Sequence, residues 1–360
     1  MPLSQIQLSS STGRRNLVIN GAMQVAQRGT SATGVTNNGS HFIIDRFKTV
    51  VNSSYTNTVE QSTDVPSGYG FVYSLKQTFT TAKSSPSSGD YNVLDQNLEK
   101  QNIYSTENGT SSAKSITLSF WVKSSVTGTF AVALQNYGSS RRSNVLSYTI
   151  SSANTWEKKV ITTTADPSAN TNSANGSGLG LRFALSAGSS YEASNATTGW
   201  QTADYFGFTG ATYPAGTTNA TWQITGVQLE VGNVATEFEH RSFGEELKLC
   251  HRYYQQHDYA THGRYIANGG ASSNSHSKYI YQYYGGTMRA TPSISTPSVS
   301  NGYRFIGHGQ DHSHSTIPNI DNPGANSVQF GNNQNTITAG RQMRLLISYN
   351  EAMIKMDAEL

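Results

Sequence analysis

Charge is scarce in this chain of 360 residues: 13% of its side chains are charged, against roughly 25% in ordinary soluble domains. Lys and Arg number 25 against 22 Asp and Glu. The only adjacent arginines, Arg14-Arg15 and Arg141-Arg142, make no stripe that could track phosphates. Nucleic acid is therefore not an expected partner. The single cysteine, Cys250, excludes an intrachain disulfide framework and reads as a small buried apolar side chain. No apolar run approaches the ~18 residues that span a bilayer, so membrane insertion is not expected. The opening MPLSQIQLSSSTGRR lacks the apolar core of a signal peptide. Synthesis in a cytoplasm and delivery by assembly are expected.

What fills the gap is Gly (33 residues), Tyr (20 residues), Ser, Thr and Asn. Such residues compete with or loosen helices and suit short strands joined by turns. Low charge alone is compatible with disorder, but the apolar positions alternate. Ile116, Leu118, Phe120 and Val122 face one way, with Thr117, Ser119, Trp121 and Lys123 opposite. Phe71, Tyr73, Leu75 and Phe79 make a looser series, and Phe130, Val132, Leu134 and Leu181, Phe183, Leu185 continue it. Period-two patterning at this density predicts strands with one buried face, packed as two sheets. Asn16–Thr30 and Trp222–Glu239 read as strands that close this sandwich. In the latter the phase slips at Gly226, which predicts a β-bulge. Ser84–Gly89 and Asp166–Gly178 read as loops, and no repeat of fixed period suggests a solenoid.

After Glu239 the text changes. Ser242 and Glu245 have capping-box spacing, and Phe243, Leu247, Cys250 and Tyr254 follow as one stripe of a helix of about three turns. Strand-like text then resumes through Tyr279, Tyr281, Tyr283, Tyr303, Phe305 and Met343–Tyr349, and ends at Ile354–Leu360. The expected organisation is an N-terminal arm (1–15), a β-sandwich (16–240), a linking helix (241–257) and a C-terminal β-domain (258–360).

Seven segments carry a resemblance across nearly the whole chain: NLVINGAMQVAQRG, HFIIDRF, ITLSFWVKSS, NTWEKKVIT, ITGVQLEVG, ATEFEHRSFGEELKLCHRYYQ and the terminal DAEL. Together they resemble the carbohydrate-binding-module-like jelly rolls of tailed-bacteriophage virion proteins, tail fibres above all. The resemblance implies an all-β protein with an N-terminal jelly-roll sandwich, a short linking α-helix and a C-terminal β-domain. It also implies a homotrimer, assembled in the host cytoplasm into the virion. There the protein would adhere to a host-surface glycan, with the N-terminal arm meeting other virion proteins. The alternative is a purely architectural capsid-decoration or head-fibre protein; a polysaccharide depolymerase ranks third. Neither catalytic residues nor a cofactor is expected.

A structural metal is the one cofactor alternative. Sandwiches resembling this one often hold calcium with acidic side chains near the first and last strands. Here Gln24 stands where a carboxylate is expected and Glu230 alone remains, too few for a shell of six to eight oxygens. His312 and His314, in GHGQDHSHS with His308, share a strand face and would give six imidazoles around a threefold axis. Asp311, His312 and Ser313 are consecutive and cannot align as a catalytic triad. Asp45-Arg46 reads as a structural ion pair or a turn-capping aspartate. For a sugar the resource is aromatic: Trp121, opposite the core residues of its strand, and Trp200, in the loop-like ATTGWQTADYF. Tyr279–Tyr284 reads as interface or core.

Overall fold

The structure, a computed structural model, describes residues 14–36, 39–138, 140–168, 172–196, 199–258, 265–273, 276–283, 285–307, 310–314, 317, 319–321, 323–333, 342–347 and 352–360. The chain divides into two compact units, Met1–Arg241 and Ser242–Leu360. Met1–Gly13, most of the expected arm, lies outside the described residues.

In the first unit the described strands are β1 (Ser31–Val35), β2 (Gly39–His41), β3 (Lys48–Asn52), β4 (Thr56–Ser62), β5 (Ser74–Thr81), β6 (Tyr91–Glu99) and β7 (Ser115–Ser124). They continue with β8 (Gly128–Tyr137), β9 (Arg141–Ile150), β10 (Glu157–Thr164), β11 (Ser177–Ala187), β12 (Glu192–Ala193), β13 (Gly207–Phe208) and β14 (Thr221–Val231). One six-stranded sheet runs β1-β4-β5-β14-β7-β10, the other β2-β3-β6-β11-β8-β9, and every pairing in both is antiparallel. From β5 to β11 each connection switches sheet, except the β8–β9 hairpin; β12 and β13 pair in parallel as a separate two-stranded sheet before β14 returns to the first. That winding is a jelly roll, and the fold is all-β.

The alternation predicted for β7 holds. Ile116, Leu118, Phe120 and Val122 are fully buried between the sheets, while Trp121 and Lys123 emerge on the outer face. Phe120 meets Tyr148 and Phe183 edge-on at 5.1 Å each, and Trp222 donates its indole N–H to the Tyr148 hydroxyl at 3.2 Å. Rings of this size each contribute roughly 1.5–3 kcal/mol by burial, provided their polar atoms find partners. Here they do.

Asn16–Thr30 departs from expectation, since it forms no strand. It lies beside β14 through Leu17 N–H to Leu229 O and Val227 N–H to Gly21 O, each 2.9 Å. Asn20, between these points, and Met23, just past them, turn to φ 61° and 58°, which breaks a ladder. The Asn16 side chain replaces ladder bonds, donating to Val227 O and accepting from Val18 N–H and Leu229 N–H. Glu239 then accepts from the backbone N–H groups of Arg15 and Asn16, fastening the two ends of the unit together. Asp45 is fully buried and accepts from the Gln27 backbone N–H at 3.0 Å, with the Arg28 guanidinium at 3.9 Å. Arg46 donates to Asn97 O.

The second unit opens with α1 (Phe243–His251), whose Ser242–Glu245 capping box forms in both directions. The helix is shorter than the expected 241–257. Tyr253 N–H turns back to Cys250 O, and Tyr254 begins a strand. The strands are β15 (Tyr254–Asp258), β16 (Tyr265–Ser273), β17 (His276–Gln282), β18 (Ser293–Ser295), β19 (Tyr303–Gly307), β20 (Gln310–His314), β21 (Asn319–Asp321), β22 (Ser327–Asn333), β23 (Gln342–Ile347) and β24 (Met353–Asp357). They form a three-stranded sheet, β15-β24-β18, and a seven-stranded one, β20-β19-β23-β16-β17-β22-β21. Tyr279, Tyr281, Tyr303, Phe305 and Leu345 of the larger sheet share one core with Ile354 and Met356 of the smaller.

Candidate functional site

The predicted slip in β14 is real. Its register against β7 shifts between Thr225 and Gln228, and Gly226 sits there at φ +62°. A Cβ at Gly226 would lie 2.5 Å from the Phe71 ring, so the bulge and the missing side chain together admit that ring onto the sheet. Phe71 belongs to the loop between β4 and β5, not to the strand its alternation suggested, because β5 starts at Ser74. Phe71, Phe238 and His240 form a triangle of rings with centroids 4.9–5.1 Å apart.

Three fastenings hold that loop on the outer face of the β5-β14-β7-β10 layer. Thr225 donates its hydroxyl to Tyr73 O at 2.7 Å. His240 Nε2 lies 2.9 Å from Tyr69 O; since a carbonyl only accepts, Nε2 carries the proton. Asp64 accepts from Lys123, from the Trp156 indole N–H at 3.1 Å and from Gln223 at 3.4 Å. Burial opposes ionisation of Asp64, but the hydrogen bonds from Lys123 and Trp156 outweigh it and hold the carboxyl below its ordinary range.

The loop thereby delivers Tyr69, 47% exposed, to within 4.3 Å of Trp121, the two rings tilted by 47°. Beside them opens a depression of about 220 Å³, lined also by Phe71, Ser119, Gly226, Phe238 and His240, with Lys158 and Glu237 at its walls. Lys158 stands directly across the β10–β7 ladder from Trp121. Tyr69, Trp121, Lys158, Glu237 and His240 thus line one open concavity. Such a surface can stack a ring that presents C–H groups and hydrogen-bond its hydroxyls. Glu237 is the one carboxylate among the described lining residues, whereas glycoside hydrolysis uses two that face each other.

Of the two tryptophans singled out from sequence, the depression contains Trp121 and not Trp200. Trp200 is half-buried, packs against the sandwich core and donates its indole N–H to Thr164 O at 2.9 Å. His312 and His314 lie on β20, opposite Phe305 and Tyr303 in register; their side chains, and the whole of His308, lie outside the described residues. Glu230 is buried and accepts from the Thr236 N–H and hydroxyl and from Gln228. Among the described residues no group of three or more His, Cys, Asp or Glu is placed to hold a metal ion, and no helix is long and apolar enough to cross a membrane. Sequence reading missed Tyr69, Lys158, Glu237 and His240. Only the fold brings them to Trp121.

No family model and no curated protein matches this chain. Among solved structures, an enzymatically active domain of tailspike protein 4 from bacteriophage CBA120 is similar at 16% identity and TM-score 0.32, covering 60% of this chain and 21% of that one. A protein from Bacteroides thetaiotaomicron, named a "putative sugar binding protein", is 10% identical with TM-score 0.33, over 61% of this chain and all of the other. A family 11 carbohydrate-binding module from Clostridium thermocellum is 9% identical with TM-score 0.28, over 58% and 99%. Likenesses this distant carry no argument about ligand or activity; the geometry of the depression has to supply it.

Proposed function

We propose that this chain is a non-catalytic glycan-binding adhesin, and that its sugar site is the Tyr69–Trp121 depression. The observation that carries the reading is the pairing of two part-exposed aromatic rings, 4.3 Å apart, above an open concavity walled by unlike charges. An aromatic ring that a fold merely needs for packing goes inward, as Trp222 does at 0% exposure. Trp121 sits on the opposite side of its own sheet. A setting in a tailed-phage particle, as a trimeric tail fibre or short appendage, rests on the resemblance of the seven quoted segments. In that setting the sandwich grips a host-surface glycan, and the arm before Asn16 serves attachment to other virion proteins.

The test is binding of the purified chain to an array of bacterial surface saccharides, repeated with Trp121→Ala. Saccharide capture that disappears in the variant supports the reading. Equal capture by both proteins, or none by either, overturns it. Interference of the purified chain with phage adsorption tests the particle setting. Sedimentation tests the trimer, and a monomer at micromolar concentration counts against it.

A further inference from the structure

We infer that the depression selects an uncharged sugar residue, held between the Lys158 ammonium and the Glu237 carboxylate; this deepens the glycan reading and rests on it. Around the site Lys123 is taken by Asp64, Lys159 by Glu157, and Arg241 by Glu239. Glu230 is engaged by Thr236 and Gln228. Among the described residues neither the Lys158 ammonium nor the Glu237 carboxylate has an ion-pair or hydrogen-bond partner, although both line the same depression.

In a chain so sparing of charge, two unpaired opposite charges on residues that line one cavity restrict what fits there. A carboxylated sugar would gain Lys158 and meet Glu237; an amino sugar would gain Glu237 and meet Lys158. Either loses by repulsion and desolvation much of what it gains. A hydroxyl is suited to both, because its oxygen accepts from the ammonium and its O–H donates to the carboxylate. Such charge-assisted hydrogen bonds are the strong ones, and they need no net charge on the ligand. Size agrees: at about 220 Å³ the depression is smaller than the roughly 300–1,000 Å³ of sites for drug-sized ligands, which suits a single sugar ring stacked on Trp121 and Tyr69.

The experiment is calorimetric or NMR titration of the whole chain with three kinds of methyl glycoside: neutral hexosides, a uronoside and a 2-amino-2-deoxyhexoside. The expected result is a neutral hexoside bound at least roughly tenfold more tightly than either charged one. That affinity should change by less than about twofold when NaCl rises from about 0.02 to about 0.5 M. Glu237→Gln should weaken the neutral hexoside about tenfold while improving the uronoside relative to it, and Lys158→Met should do the same for the amino sugar. Both positions are exposed, so unchanged unfolding midpoints verify the fold of each variant. A charged glycoside that equals or beats the neutral ones overturns the inference. So does a charge preference that neither variant moves while Trp121→Ala abolishes binding; the glycan reading then survives. If no glycoside and no arrayed saccharide binds, both fall.

Discussion

The two sheets of the sandwich are built from the same alternating text, yet their outer faces meet different fates. Outside β6-β11-β8-β9, the connection from β11 to β14 folds back over the sheet. Tyr191, Phe206 and Phe208 pack on Val93, Ala131, Ala133 and Ala184, and Tyr191 stacks on Phe206 at 4.9 Å. Arg182, paired with Asp95 through two 2.7 Å hydrogen bonds, lies under Phe206. That face is a second core. Outside β5-β14-β7-β10, β10 alternates between half-buried and exposed positions, and Trp121 shares the surface with the β4–β5 loop and the segment Glu237–His240, which leave a depression open. On the covered face mostly small strand residues, with Tyr91 at one end of β6, lie beneath large rings supplied by the cover. On the open face the sheet itself presents a large ring, Trp121, that stays half-exposed.

Four substitutions or titrations would break or sharpen that contrast. The largest effect is expected from Phe206→Ala, which unroofs the covered face. Stability should fall by about 3–5 kcal/mol in denaturant unfolding, with saccharide affinity unchanged in the surviving folded fraction. Trp121→Ala should do the converse, weakening saccharide binding by at least roughly tenfold, about 1.4 kcal/mol, with the unfolding midpoint nearly unmoved. An unfolding midpoint that drops as far as in Phe206→Ala would make Trp121 a core residue and erase the distinction. Gly226→Ala should cost about 1–2 kcal/mol for its left-handed conformation. It should also displace Phe71 and lower saccharide affinity, visible as shifts of aromatic NMR signals.

The smallest effect concerns pH. Asp64 has a depressed folded-state pKa, so the stability it lends the Tyr69 loop is fully present above its unfolded value, about 4. That contribution is lost as pH falls through the folded value. Asp64→Asn should flatten the dependence of unfolding midpoint on pH below about pH 4 relative to the parent. An unchanged acid limb would detach Asp64 from the loop's hold on the sheet.

Much of this contrast could be read in the residues themselves. The inward run Ile116–Val122, the bulge at Gly226 and the Ser242–Glu245 cap each follow from rules that act within one element. Trp121 was legible as outward-facing by parity alone. What no local rule supplies is company. Tyr69 reaches Trp121 across 52 positions of chain, Glu237 and His240 arrive from beyond the last strand, and parity says nothing of whether a face is roofed. Trp200 shows the same limit: its loop-like context does not reveal a ring that packs against the core. Asn16–Thr30 misled because asparagine side chains can imitate the hydrogen bonds of a strand while the backbone turns aside.

The fastening of Asn16 and Arg15 to Glu239 has a mechanical consequence. Chain enters and leaves the jelly roll at one pole, so tension along a polypeptide threaded through this unit crosses from Arg15 to Glu239 without traversing the sheets. While those bonds hold, the strand ladders carry none of that tension. A grip on a ligand at Trp121 would then be strained by drag on the sandwich itself, and not by the force carried along the chain.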